Sequence, residues 1–220
     1  MKKNIKTGML VFLLVIPVFV FMFLKFFGKN YYSLPVYFAT DSTYQDGRYK
    51  ITDAHTIPDF KLTNQDGNQF SSEALKGKIT IVDFFFTRCG GICPKMTRHL
   101  GRVQDAFKND SNVRIVSFTV DPVFDGVDVL KKYSAEFGAD NNKWIFLTGT
   151  KDSIYQIAQK GFFLSAMEDE ANPVDFIHSE KLVLVDKVGR IRGYYNGTDP
   201  EDVNRLIAEI KVLNYEYGQD

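Results

Sequence analysis

The chain has 220 residues, 45% of them apolar, and its 27 basic and 27 acidic side chains cancel to no net charge. That length suits one domain with an appended segment, and the apolar share is enough to fill a core. The charge balance argues against a nucleic-acid partner, which draws a basic surface, and a cysteine inventory of only Cys89 and Cys93 excludes a disulfide-stapled scaffold.

Met1-Lys2-Lys3-Asn4-Ile5-Lys6 is short and basic, and Gly8 to Leu24 then runs without a charge, interrupted only by Pro17. Counted on to Phe27, the stretch is long enough to span a bilayer, because Lys25 can snorkel to the headgroups. The exit, Phe23-Leu24-Lys25-Phe26-Phe27, offers no small-residue cleavage site, and no cysteine follows for lipid attachment. Residues 1–28 read as an uncleaved single-pass anchor in the cytoplasmic membrane. Lys2, Lys3 and Lys6 favour a cytoplasmic N-terminus and place the rest of the chain on the extracytoplasmic (periplasmic) side. Lys25 and Lys29 reduce that contrast.

Residues 29–56 are polar, aromatic and irregular, as a tether with a short hairpin would be. A periodic domain follows over 57–217. Ile57 to Leu62 alternates like an edge strand, and Asn64-Gln65-Asp66-Gly67-Asn68 carries turn chemistry. Ile79 to Phe86 is a nearly continuous apolar run, as a central buried strand requires. Pro94 permits a helix start, and Met96, Leu100, Val103 and Phe107 then share one helical face. Val113 to Val120 reads as strand, Val127 to Phe137 as helix, Trp144 to Leu147 as strand and Asp152 to Lys160 as helix. Lys181 to Asp186 and Ile191 to Tyr195 read as strands joined at Lys187-Val188-Gly189-Arg190. Asp199 caps a last helix with Pro200 at its first position. This alternation predicts an α/β fold, a mixed sheet covered by helices on both faces.

The chemistry concentrates in Val82-Asp83-Phe84-Phe85-Phe86-Thr87-Arg88-Cys89-Gly90-Gly91-Ile92-Cys93-Pro94. A buried strand runs into two cysteines and a helix starts at the second, the context of thioredoxin-like proteins. A helix N-terminus lowers a thiol pKa, and both metal binding and thiol exchange need the thiolate. Thioredoxin-type oxidoreductases place two residues between their cysteines. Three residues still allow a disulfide and also let the sulfurs stand apart around an ion. Two soft thiolates suit Cu(I) or zinc, and a third donor then has to come from elsewhere in the chain.

The chain has three histidines. His55 lies in the tether and reads as a surface residue. His99 stands six residues past Cys93, off the helical spacing that would bring it to the sulfurs, and reads as solvent-facing or packed. His178, in Asp175-Phe176-Ile177-His178-Ser179, directly precedes a predicted strand, at the point of a thioredoxin-like sheet that faces the cysteine motif. Met96 lies on the core stripe and reads as packing. Asp83, six residues before Cys89, admits two readings: a proton-transfer group behind the cysteines, with a pKa raised by burial, or a hydrogen-bonded structural acid. Asp121 likewise is either a carboxylate standing behind the metal ligands or a loop aspartate serving local amides.

From Ile57 to Tyr195 the chain resembles the Sco/SenC family. The matching residues are Pro58-Asp59-Phe60, Gly77-Lys78, Phe84-Phe85-Phe86-Thr87, Cys89-x-x-x-Cys93-Pro94-x-Met96, Val120-Asp121-Pro122, Leu147-Thr148-Gly149 and His178-Ser179. The resemblance implies a thioredoxin-like domain that holds one copper ion, Cu(I) or Cu(II), through Cys89, Cys93 and His178. It implies service to the CuA centre of cytochrome c oxidase, with oxidase subunit II or a related copper-site protein as partner. Two departures stand out. Gly90-Gly91 replaces a proline-containing pair, and Asp125-Gly126-Val127 replaces an Asp-Thr pair followed by proline, which puts a role for Asp125 in doubt.

The same thiolates also fit a thiol–disulfide oxidoreductase that keeps the cysteines of a CuA site reduced. A peroxide-reducing enzyme fits less well, because Phe85-Phe86-Thr87-Arg88 lacks the proline of a peroxide pocket. For the anchor, protease added to cells stripped of their outer barrier is expected to digest the domain. A protected domain, or a mature N-terminus near residue 30, would contradict the anchored topology.

Overall fold

A computed structural model describes residues 2–27, 33–45, 48–164 and 180–218. The chain divides into two units, residues 1–32 and 33–220. In the first, α1 (Lys2–Phe27) is a single helix with Pro17 inside it. Among the described residues, no helix is long and apolar enough to cross a membrane.

The second unit opens with an antiparallel hairpin, β1 (Ala39–Gln45) and β2 (Arg48–Ala54), which forms its own two-stranded sheet. The main sheet has seven strands: β3 (Lys61–Asn64), β4 (Gln69–Ser71), β5 (Ile79–Phe85), β6 (Val113–Thr119), β7 (Trp144–Thr148), β8 (Lys181–Val185) and β9 (Ile191–Asn196). Their spatial order is β4-β3-β7-β6-β5-β8-β9. The centre, β7-β6-β5, is parallel, and the antiparallel β3–β4 and β8–β9 hairpins flank it. Helices α2 (Ile92–Ala106), α3 (Val127–Glu136) and α5 (Pro200–Tyr217) cover one face. The other is covered by α4 (Lys151–Gln156), the π-turn that extends it over Ile157–Gly161, and a 3₁₀ turn at Ser72–Leu75. This is the expected α/β thioredoxin-like arrangement.

Strand alternation decides what each face receives. In β5, Ile79, Ile81 and Phe85 enter the core beneath α2, α3 and α5, while Val82 and Phe84 enter the opposite core. Asp83 therefore faces the layer that carries the cysteine helix. On that side Met96, Leu100 and Val103 of α2 meet Val203, Leu206 and Ile210 of α5, all fully buried.

Two elements depart from the sequence pattern. The first strand of the main sheet, β3, begins at Lys61 rather than Ile57, because Pro58 has no N–H to donate to a ladder, and β4 rather than β3 forms the sheet edge. The preceding residues make a bridge from Thr56 to Arg190, a hydrogen bond from Ile57 N–H to the Gly189 carbonyl, and hydrogen bonds of Asp59 and Phe60 with Ser72. The helix expected over 152–160 becomes α4 plus the π-turn. It ends at Gly161, where a Cβ would stand 2.9 Å from Pro58 Cδ, so only glycine fits. His55 is half-buried rather than on the surface: its Nε2 lies 2.9 Å from the Gly161 carbonyl and its ring packs on Phe163 at 4.5 Å.

The unit's first residues are clamped to the sheet. Arg192 on β9, 4% exposed, donates to the carbonyls of Leu34 (2.7 Å) and Pro35 (3.0 Å) and to Asp186 (3.2 Å) and Glu216 (2.8 Å). Glu216 in turn accepts from Leu34 N–H at 2.6 Å. This clamp lies at the Val185 end of β8, which pairs with Thr80 at the start of β5. The cysteines follow the other end of β5, so about 17 Å of strand separates the two features. Arg192→Ala is expected to lower unfolding free energy by about 2–3 kcal/mol, because it removes the buried guanidinium that joins two carboxylates and two carbonyls. Urea titration measures it, and a loss under 1 kcal/mol would show that the clamp is not cooperative with the fold.

Candidate functional site

After Phe85 the chain leaves the sheet, turns through Phe86–Gly91 and enters α2. Cys89 N–H donates to the Phe86 carbonyl at 3.2 Å, which folds the loop back on itself. Gly91 is the N-cap and brings no side-chain acceptor to the first turn. The opening amides of α2 are therefore free to serve another acceptor. They turn toward Cys89, which stands half-buried before the helix, while Cys93 lies one turn inside it and is buried. Both are free thiols.

Their environments polarise the pair. Partial burial opposes ionisation of Cys89, but N–H groups of Cys93, Gly91 and Ile92, together with the Cys93 thiol, outweigh it and hold Cys89 below the usual thiol range. Burial pushes Cys93 up to about 12. The Phe86 amide works against that shift, and the neighbouring Cys89 and Asp83 charges reinforce it. Cys89 is thus the accessible, readily ionised sulfur and Cys93 the sheltered one, the division that site-selective cysteine chemistry needs.

Asp83 sits in the layer beneath α2, 1% exposed. Ser117 Oγ donates to its carboxylate at 2.5 Å, and Trp144 Nε1 donates to Ser117 Oγ at 2.8 Å. Burial raises its pKa to about 7 despite the serine. Asp83 is thus hydrogen-bonded within the core, and its charge acts on Cys93.

Asp121 follows the end of β6. Its buried carboxylate accepts from Arg88 Nη2 at 2.5 Å, so it reaches the loop through the residue before Cys89. Arg88 is half exposed, which makes this pair a positioning contact more than a source of stability. Asp125, whose role the sequence pattern put in doubt, is fully buried. It accepts from Thr87 N–H at 3.0 Å, from Thr87 Oγ1, and from Thr119 Oγ1 at 2.5 Å. It ties the end of β6 to the start of the cysteine loop. One signal for this is present along the chain: Thr87 and Thr119 near the ends of β5 and β6, with an acid between β6 and the next helix.

Met96 is fully buried among apolar side chains, as packing required. His99 is half-buried and packed, its Nδ1 lying 2.7 Å from the Gly197 carbonyl, away from the cysteines. His178 lies within residues 165–179, outside the described residues. Among the described residues no group of three or more His, Cys, Asp or Glu converges as a metal site. The described part of the site therefore supplies two soft donors.

The SCO1/SenC family model matches residues 49–213. The SCO1 protein homolog of Bacillus subtilis strain 168 is 36% identical over 159 residues, spanning 71% of this chain and 82% of the relative. Among solved structures, BsSco, described as having a disulfide switch and as a member of the Sco family of cytochrome c oxidase assembly proteins, superposes with a TM-score of 0.62 at 35% identity. It covers 72% of this chain and 93% of that one. Arabidopsis thaliana ScoI with copper bound superposes with a TM-score of 0.56 at 28% identity, covering 71% and 98%.

The buried acid gives the site a pH signature. A carboxyl whose pKa is higher in the folded than in the unfolded chain binds its proton more tightly when folded. Asp83's favourable contribution is complete below its unfolded value of 3.8 and is lost as pH rises through about 7. Asp83→Asn cannot ionise, so the wild type should lose up to roughly 4 kcal/mol relative to it between pH 4 and pH 8. Urea unfolding at each pH measures the difference, and parallel curves would mean that Asp83 is ionised throughout.

Proposed function

The chain belongs to the SCO1/SenC family, and from that premise we propose that it is a copper metallochaperone whose cargo is held by Cys89, Cys93 and His178 and which serves the CuA centre of cytochrome c oxidase. The observation that carries the reading is the polarised pair of free thiols at the open N-terminus of α2. Cys89 supplies a ready thiolate at the surface. Cys93, whose proton is held tightly in the free protein, gives it up on metal binding, as a ligating thiol must. Thiolates suit Cu(I), and an imidazole extends the set toward Cu(II). Two of the three histidines are engaged with backbone carbonyls elsewhere, which leaves His178 as the imidazole for this role. The ion comes and goes as cargo, and the chain's part is to present donors at an accessible edge and pass the ion to oxidase subunit II or a related copper-site protein.

The anchored location belongs to the same proposal. Described apolar side chains of α1, among them Phe12, Leu13, Val18, Phe19 and Phe26, are exposed on successive positions around the helix. A helix that is apolar all round is suited to lipid. We place the second unit on the extracytoplasmic side, where a CuA domain would meet it.

A second reading, a thiol–disulfide oxidoreductase that reduces the CuA cysteines, is favoured by one arrangement: a low-pKa outer thiol, a sheltered inner thiol and a buried acid acting on the latter. In that reaction Cys89 thiolate attacks the substrate disulfide. Cys93, after losing its proton, attacks the mixed disulfide, leaving this chain oxidised and the substrate reduced by two electrons.

His178→Ala separates the two. Two thiolates alone can hold Cu(I), so Cu(I) affinity should weaken without vanishing, while strong Cu(II) binding and oxidase maturation are lost. Cys89 and Cys93 should still cycle between dithiol and disulfide, and the disulfide form should bind no Cu(I). Normal oxidase maturation by the variant would move the oxidoreductase reading ahead, and retained Cu(I) affinity after confirmed oxidation would remove the thiolates as ligands.

A further inference from the structure

We propose that the surface made by Val123, Phe124, Ile92 and Arg88 is where the copper-exchanging protein docks, and that this partner presents an apolar side chain ringed by carboxylates. The inference rests on the metallochaperone reading and adds to it the face and the chemistry of the contact.

Val123 is 90% exposed and Phe124 47%, in the loop between β6 and α3. Two consecutive large apolar residues held in water call for an explanation, and the loop is not loosely held. Phe124 N–H donates to the Asp121 carbonyl at 3.1 Å, Asp125 N–H to the same carbonyl at 2.9 Å, and Gly126 N–H to the Phe124 carbonyl at 2.9 Å. The buried Asp125 carboxylate fixes the loop from below through Thr87 and Thr119. These bonds hold the backbone that carries the pair, which spares a partner part of the cost of ordering it.

Its place is set by Arg88. The guanidinium lies 4.4 Å from the centroid of the Phe124 ring, and Arg88 adjoins Cys89 in the chain. A donor that takes an ion from the half-buried Cys89 sulfur has to reach bonding distance of that ion, and the body carrying it then lies over Phe124 and Val123. Half-buried Ile92, in the first turn of α2, borders the same sulfur. An arginine stacked on an aromatic ring beside apolar side chains is the composition that dominates binding energy in protein interfaces.

Charge selects the partner. The acids beneath this surface, Asp121 and Asp125, are buried and committed to Arg88 and to the threonines. Lys95 and Arg98 are exposed in the first two turns of α2, and among the described residues neither has an acidic partner. Against Lys95 and Arg98 stands one exposed carboxylate in the first turn of α3, Asp128, while the charge of Arg88 is met by Asp121. A neutral chain thus leaves Lys95 and Arg98 without acidic partners among the described residues on the helix that carries Cys93, and a partner approaching the cysteine edge complements them with acids.

The test uses the full chain in detergent, reduced and loaded with Cu(I). The probe is the apo, soluble copper-site domain of cytochrome c oxidase subunit II from the same organism, and copper transfer is followed by stopped flow. The double variant Val123→Ser, Phe124→Ser should bind Cu(I) with wild-type affinity and melt normally, yet transfer copper at least about tenfold more slowly. Lys95→Glu with Arg98→Glu should slow transfer and abolish its acceleration at low ionic strength. Wild-type rates and salt dependence in both variants would overturn the docking surface and leave the copper reading intact. A loss of Cu(I) affinity in the first variant would also overturn it, by placing those residues in the copper site itself. A wild-type chain that binds no Cu(I) would overturn the copper reading and this inference with it.

Discussion

Amides at the start of α2 turn toward one sulfur atom, and the rest of the site is organised so that they can. A helix N-terminus has unsatisfied donors by construction. Most helices answer them with a Ser, Thr, Asp or Asn at the N-cap. Here the N-cap is Gly91, which has no side chain to offer, and the acceptor is Cys89. A missing cap is thereby converted into stabilisation of a thiolate. The second cysteine enters the helix interior, where burial has the opposite effect on its proton. Sulfur chemistry at this edge follows from where a strand ends and a helix begins.

Such a loop cannot hold itself in place. A Cβ at Gly90 or Gly91 would meet nothing within 4 Å, so neither glycine is required by close packing and neither contributes contacts of its own. Order is imposed from the flanks. Asp125 grips Thr87 before the cysteines, Asp121 grips Arg88, and Thr97 donates to the Cys93 carbonyl at 2.8 Å while sharing a 3.0 Å hydrogen bond with Tyr133. The loop between β6 and α3 therefore does two things. It anchors the motif through buried carboxylates and offers apolar side chains to solvent beside it.

At the far end of β5 the same sheet carries a different device. Arg192 gathers Leu34, Pro35, Asp186 and Glu216 into one buried network. A buried charge is tolerable only when its partners are complete, so this network fixes where the second unit's first residues lie. The cysteine edge is left free of that duty, and its conformation can be set by the demands of a ligand or partner.

How much of this could be read along the chain follows from the range of the forces involved. Period-two and period-3.6 apolar patterns are local, so the order of strands and helices, the covered central strand and the cysteine pair at a helix start were all legible. So was the cap at Asp199, whose carboxylate accepts from Glu201 N–H at 3.0 Å. Pro58 shortened the first strand for a local reason, its missing N–H, whereas the close fit of Gly161 against Pro58 spans the fold and no window of sequence contains it. His55 left the surface for the same reason. The partners of Asp83, Asp121 and Asp125 are 34, 33 and 38 residues away along the chain, and only strand pairing brings them together. Sequence by itself determined the donor atoms and their place at a strand–helix junction, since side-chain chemistry and periodicity are properties of neighbours. Tertiary structure alone decided which sulfur is accessible, which acid holds which loop and which apolar residues remain in water, because burial and desolvation are set by everything that packs around a group.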